Sequence, residues 1–196
     1  MNYLIFPKPE IYNSNDSYGV TDIAIDTESK VWIATYAALF NYDGKNVNVF
    51  DHKKLKLKDN EKLHIRSLLV DSKGQIWIGN NGIGVLLLEN DKTIKFSEIN
   101  GLIHQNSSKN GNLSPAGTME HVFSIEEDAE GNIWFGDRDT GAWKFDGKKL
   151  TNYIIDKNLK SQMIWTIYKN NSDNLLIGMA NGGVYKFNGK SFDKWH

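Results

Sequence analysis

One phrase recurs along this chain. It reads DTESKVWIAT at residues 26–35, DSKGQIWIGN at 71–80 and DAEGNIWFGD at 128–137, and a looser copy, NNSDNLLIGM, stands at 170–179. Aligned on it, Trp32, Trp77, Trp134 and Leu176 hold equivalent places at intervals of 45, 57 and 42 residues. Self-similarity at such a period constrains a fold more than any local propensity does. A unit of this length cannot bury its own apolar face, so its neighbours must do so by stacking or by closing into a ring.

Each unit divides into four short strands. The first, as in VFSIEED, runs into an Asp-x-x-Gly turn in which the carboxylate caps the turn and Gly takes the left-handed position. Ser29 and Asp173 stand where Gly74 and Gly131 do, so those two turns are expected to be more strained. The second strand, as in NIWFG, is a wholly apolar run of the kind buried between sheets. The third opens at Gly84, Gly141 and Gly183, with Ala38 in the matching place, and the hairpin to the fourth carries YDGK, FDGK or FNGK. In such a hairpin both central residues are expected at positive φ. Four units of four strands predict an all-β chain, a β-propeller built from four four-stranded blades, either a closed four-bladed ring or an arc (half) of a larger propeller. The blades are placed at about 19–51, 64–98, 121–154 and 163–196, with an insertion loop at 99–120, all in one domain of 1–196. That loop is rich in Asn, Ser and Gly and is expected to be a mobile flap. The opening NYLIF is like NYIID at 152–156, the exit of an outer strand, so no strand is expected to be shared across the seam between last blade and first.

Composition narrows the function classes. A formal net charge of -1 over 196 residues gives no electrostatic footprint for nucleic acid. The one basic run, HKKLKLKDNEK, is followed at once by acids and reads as a solvated loop. With no cysteine there is neither a disulfide framework nor a thiolate metal site. No apolar run reaches the roughly 20 residues of a membrane helix, so no membrane insertion is expected. GNNGIG superficially matches a phosphate loop, but no helix pattern follows it.

The pattern I-x-x-D-x-x-G-x-I-W-[IF]-G, followed by a Gly-rich turn and an aromatic-x-aromatic-D-G-K hairpin, resembles the two-component regulator propeller repeat, from Gly19 to the C-terminus. That family comprises sensor domains and smaller standalone propellers of Bacteroidetes-like bacteria. The resemblance implies a periplasmic or extracellular sensor or recognition module that detects glycans or transmits signals. Family members hold more than four blades, which implies a homodimer, or further blades in a longer chain, as an alternative to a small closed ring.

Because the strands alternate in direction, the stereotyped turns share one rim and the variable connections share the other. On the variable rim the residue after WIG reads Thr35, Asn80, Asp137 and Met179, and the next reads Tyr36, Asn81, Arg138 and Ala180. Entry to the innermost strand reads Gly19, His64, His121 and Met163, and one apolar place further on stand Thr21, Arg66, Phe123 and Trp165. His64, Arg66, Asn80, Asn81, His121, Phe123, Asp137, Arg138 and Trp165 are therefore the candidate ligand-binding residues, a polar and aromatic set at the mouth of the ring. Neutral drift at exposed loops would produce the same variation. No metal site is expected, since His64 and His121 occupy matching positions in different blades and no close ligand spacing appears. No cofactor motif and no nucleophile elbow stands out. Three functions fit: a non-enzymatic recognition or sensor module for a glycan or a protein; a lyase or glycoside-active enzyme with Asp137 as acid, Arg138 as anion clamp and His121 as base; and a protein-interaction scaffold.

Overall fold

The computed structural model describes residues 19–90, 92–104 and 112–195. They form four antiparallel four-stranded sheets, each a simple meander in chain order. Blade 1 comprises β1 (Val20–Ile25), β2 (Val31–Thr35), β3 (Leu39–Tyr42) and β4 (Val47–Phe50). Blade 2 comprises β5 (Ile65–Val70), β6 (Ile76–Asn80), β7 (Gly84–Glu89) and β8 (Lys92–Ile94), followed by a single helical turn, α1 (Phe96–Ile99). Blade 3 comprises β9 (Val122–Glu127), β10 (Ile133–Asp137), β11 (Gly141–Phe145) and β12 (Leu150–Tyr153). Blade 4 comprises β13 (Ile164–Lys169), β14 (Leu175–Met179), β15 (Val184–Phe187) and β16 (Phe192–Lys194). The architecture is the propeller expected from the repeat. The expectation for the opening NYLIF falls on residues 2–6, outside the described residues.

The core lies between blades rather than within them. Three clusters of buried side chains form, one at each junction from blade 1 to blade 4, centred on Trp32, Trp77 and Trp134. Each fully buried aliphatic or Phe side chain there contributes about 1.5–3 kcal/mol. Every repeat must therefore meet its neighbour to be stable. The Gly of the WIG phrase serves this approach: a Cβ at Gly136 would lie 2.6 Å from Ile164 Cγ2 of the next blade's inner strand, and only its absence lets the two strands close.

One carboxylate per repeat fastens turn and core together. Asp71 Oδ1 accepts the N–H groups of Lys73 and Gln75 at 3.0 and 2.8 Å, and its Oδ2 accepts the indole N–H of Trp77 at 2.8 Å. Asp26 with Trp32 and Asp128 with Trp134 repeat this geometry. In blade 4 both partners change together: Asn170 Oδ1 keeps the two turn amides, of Ser172 and Asn174, and Leu176 needs no acceptor. Ser29 and Asp173 do adopt positive φ, 61° and 58°, where the other turns use Gly.

The Asp-Gly-Lys hairpins differ from the sequence expectation. Gly44, Gly147 and Gly189 have φ of 92°, 91° and 93°, but the Asp or Asn before each does not share the left-handed region. That residue caps the turn instead: Asp43 Oδ1 accepts from the N–H groups of Lys45 and Asn46. A side-chain cap replaces the second strained backbone position.

The insertion is also less free than its composition implies. Its residues 105–111 lie outside the described residues, but both flanks are packed. Leu102 and Met119 are buried in the cluster between blades 2 and 3, joined by a Met119 N–H to Leu102 carbonyl bond of 2.8 Å. The flanks carry apolar anchors that the Asn, Ser and Gly content masks.

Candidate functional site

The variable rim is assembled by a β-bulge in every inner strand. Pairing shifts between Val20 and Asp22, Ile65 and Ser67, Val122 and Ser124, and Ile164 and Thr166. The extra residues are Thr21, Arg66, Phe123 and Trp165, four of the variable positions. A bulge re-aims its side chain out of the sheet's alternation, so these residues are turned away from the blade-to-blade cores. The equivalent apolar neighbours Ile65, Val122 and Ile164 stay buried.

Three of the four then stack across blades, with Tyr36 at the blade 1 end. The Arg66 guanidinium lies over the Phe123 ring at 5.0 Å and over the Tyr36 ring at 5.1 Å, with its Nη1 donating to the Tyr36 hydroxyl at 3.4 Å. Phe123 meets Trp165 at 5.6 Å between ring centroids, and Trp165 is 50% exposed. Cation–ring pairs at these separations contribute about 0.5–2 kcal/mol, the more so where water is excluded. The result is a ladder of Tyr36, Arg66, Phe123 and Trp165 running from blade 1 to blade 4.

A polar relay flanks the ladder. His121 Nδ1 lies 2.6 Å from Asn81 Oδ1, and Asn81 Nδ2 lies 3.5 Å from His64 Nδ1. His64 in turn packs edge-on against Tyr36 at 4.8 Å. Matching histidines of two blades are thus joined through one Asn, whereas the sequence placed them apart around the axis. Inner strands converge at the rim, and a single amide spans the gap. Burial, with the nearby Arg66, holds the His64 pKa below its usual value, and burial together with Arg138 does the same for His121. Both rings are neutral at pH 7.

Asn80, His121 and Asp137 do not belong to the exposed set. The position after WIG is buried in all four blades, through Thr35, Asn80, Asp137 and Met179. Asp137 is 0% exposed, and each oxygen accepts two backbone N–H groups: Glu120 and His121 on Oδ2, Asp139 and Thr140 on Oδ1. Burial pushes its pKa up to about 6 against the pull of those amides. Thr35 fastens its own loop in the same way, accepting from Ala37 and Ala38. Thr35 and Asp137 thus fasten the loops of blades 1 and 3, and Asp137 has no exposed atom with which to protonate a substrate. Asn80 is equally buried, and its side-chain oxygen and nitrogen have no protein partner.

Arg138 is committed to its neighbour. Its Nε and Nη2 donate to Asp139 at 3.0 and 2.7 Å, and Nη2 also reaches the carbonyl of Asn112 at 3.3 Å. Asp139 further accepts from the Ser114 N–H and the Ser161 hydroxyl, so this pair pins the end of the insertion to the rim. Two residues missing from the sequence-derived set, Tyr36 and Asp139, are thus structurally central. Tyr36 could have been found as the only aromatic in its column of the repeat alignment. Among the described residues no group of three or more His, Asp or Glu side chains is placed to hold a metal ion, and no helix is long and apolar enough to cross a membrane.

Comparison with known proteins agrees with this architecture. No curated protein sequence matches the chain significantly. The chain superposes on virginiamycin B lyase from Staphylococcus aureus with a TM-score of 0.64 at 15% identity, covering 93% of this chain and 57% of the lyase. It superposes on the extracellular domain of BT3049 from B. thetaiotaomicron with a TM-score of 0.65 at 18% identity, covering 92% of this chain and 25% of that one. The WD40 β-propeller domain of Doa1 gives a TM-score of 0.59 at 14% identity, covering 88% of this chain and 51% of that one. The chain therefore spans little more than half the length of the lyase, and about half of the Doa1 chain. Residues 61–82 and 118–139, the entry and WIG phrase of blades 2 and 3, match the model of the two component regulator propeller family. Two of the four repeats, those of blades 2 and 3, are thus similar to the repeat of that family.

Proposed function

We propose that this chain is a non-enzymatic recognition module that binds a glycan, or another ligand with a stacking face, on the ladder of Tyr36, Arg66, Phe123 and Trp165. The carrying observation is that four bulged inner strands turn their variable residues out of the cores, and that three of these residues, Arg66, Phe123 and Trp165, stack on one another across blades with Tyr36 at the end. Faces of this kind suit a sugar ring or a planar group: the aromatic rings supply flat apolar contact, Arg66 supplies a cation, and the half-buried His64 supplies a ring nitrogen, while the buried His121 holds Asn81 in place. Rigid stacking limits the ordering cost of binding. A periplasmic or extracellular location accords with such a role and with the repeat family's sensor domains. The enzyme reading has lost its acid, because Asp137 is sealed under four amides.

Titration calorimetry of neutral and carboxylated oligosaccharides, with tryptophan emission followed in parallel, tests this. Trp165→Ala and Arg66→Ala are expected to weaken binding at least tenfold without altering thermal stability by more than a few degrees. Binding unaffected by both substitutions, or release of cleaved products by the wild-type chain, would overturn the reading.

A further inference from the structure

Every junction between neighbouring blades uses the same two unlike faces. The receiving face is apolar: Ile65 and Leu68 of β5 join the cluster against blade 1, Val122 and Ile125 of β9 the cluster against blade 2, Ile164 and Ile167 of β13 the cluster against blade 3. The offering face supplies the repeat's Trp and, at the first and third junctions, a polar stitch from the inner strand. Asp22 Oδ2 accepts the Leu68 N–H at 2.8 Å, and Ser124 Oγ accepts the Ile167 N–H at 2.8 Å.

The two ends of the array each carry one unused half of that junction. On β1, the residues equivalent to Ile65, Leu68 and Val70 are Val20, Ile23 and Ile25, and they are 59, 58 and 66% exposed. On β13, Thr166 stands where Asp22 and Ser124 do, and it is exposed beside Tyr168, itself 54% exposed. Inner strands pack side by side from β1 to β5, β5 to β9 and β9 to β13, but β13 and β1 do not pack on one another in this way. Four blades here make an arc.

We propose that a second copy of this chain closes the ring, the offering face of blade 4 in each copy docking on β1 of the other. The chain already makes this junction three times, and the missing halves repeat it with Leu176 in the place of the repeat's Trp. A second copy presents both halves at once, and two arcs of four blades give a ring of eight, within the four to eight blades typical of propellers. Each junction joins unlike faces, while a two-fold axis relates the two junctions. At each seam Trp165 of one copy comes beside Thr21 of the other, so the ladder's exposed end falls inside the completed rim. The inference stands apart from the ligand reading.

Light scattering and native mass spectrometry decide it. The wild-type chain is expected at twice 22.3 kDa. Ile23→Glu and, separately, Thr166→Arg, which sets a donor where Asp22 and Ser124 accept a backbone N–H across the first and third junctions, each charge one exposed face and are expected to give folded monomers with unchanged circular dichroism. Mixing the two variants restores one intact junction and is expected to recover dimer, whereas neither variant alone does. A wild-type chain that stays monomeric at tens of micromolar overturns the proposal and leaves residues 1–18, further blades of a longer chain, or a different polypeptide as the cover. A dimer that survives both substitutions overturns it equally, because it forms through another surface.

Discussion

Replacing Asp128 by Asn tests whether the carboxylate at each repeat turn is a core element or a surface one. Asp128 Oδ1 accepts the N–H groups of Glu130 and Asn132 at 3.1 and 2.8 Å, and Oδ2 accepts the Trp134 indole N–H at 2.7 Å. An Asn at 128 can keep the turn, as Asn170 does in blade 4 with bonds of 2.9 and 3.0 Å. It cannot keep the indole bond, because its amide would point a donor at a donor. Trp134 is fully buried, so the stranded N–H costs about 1–3 kcal/mol. With the amide's own unmet donors added, the substitution is expected to destabilise by about 2–3 kcal/mol. Trp134→Phe removes the indole donor, so in the Asn background it should cost about 1–2 kcal/mol less than in wild type. Chemical denaturation of the four proteins, followed by far-ultraviolet circular dichroism, measures that coupling. The bonds from Trp134 and Asn132, aided by Lys144, hold the Asp128 pKa below its usual value against burial. Its contribution is therefore present above the unfolded pKa near 3.8 and lost as pH falls through the lower folded value, so the gap between wild type and Asp128→Asn should narrow on acidification. Additivity within about 0.5 kcal/mol, or a gap that ignores pH, would refute the reasoning.

Other perturbations read other parts of the frame. Gly131→Val should cost about 1–3 kcal/mol, from its φ of 78° alone, since a Cβ there meets only Glu127 Oε1 at 3.7 Å; unchanged stability in urea would contradict the strain. Gly141→Ala should cost more, about 3–5 kcal/mol, because a φ of 96° is joined by a Cβ lying 2.2 Å from the Tyr153 carbonyl oxygen, and an equal or smaller loss than at 131 would contradict that clash. Ser29→Gly and Asp173→Gly relieve left-handed backbone and should each raise stability by up to about 1 kcal/mol, seen as a higher denaturation midpoint. The folded pKa of Asp137, about 6, lies above its unfolded value, so its stabilising contribution is complete below about pH 4 and lost as pH rises through 6. Relative to Asp137→Asn, wild type should lose up to about 3 kcal/mol across that window, and a flat difference would show the carboxylate to be ionised throughout.

The fold was legible because it rests on a repeated local grammar. Asp at the turn, Trp six residues on and Gly after the apolar strand each have a physical partner within the unit or in the next blade, so four copies announce four sheets. Even the exception could be read, since Leu176 in the Trp column stands with Asn170 in the Asp column. The hairpins were misjudged where a capping side chain does the work assigned to a second positive φ, and the insertion's polar average hides two buried residues in its flanks, Leu102 and Met119.

The site was legible only in part, for a reason the same grammar supplies. Variation between repeats marks any position freed from the common junction, and two unlike situations free it. One is a loop held by the side chain at its start: hence Thr35 and Asp137, both buried and bonded to loop amides. The other is a side chain that a bulge has removed from the sheet's alternation: hence Arg66, Phe123 and Trp165, which are not. A repeat alignment shows both as columns of unlike residues, because register shifts leave no mark on residue type. The two differ in what the variable residues touch. Fasteners bond to their own blade's backbone, and bulged residues reach side chains of the neighbouring blade, which is the arrangement a shared binding face requires.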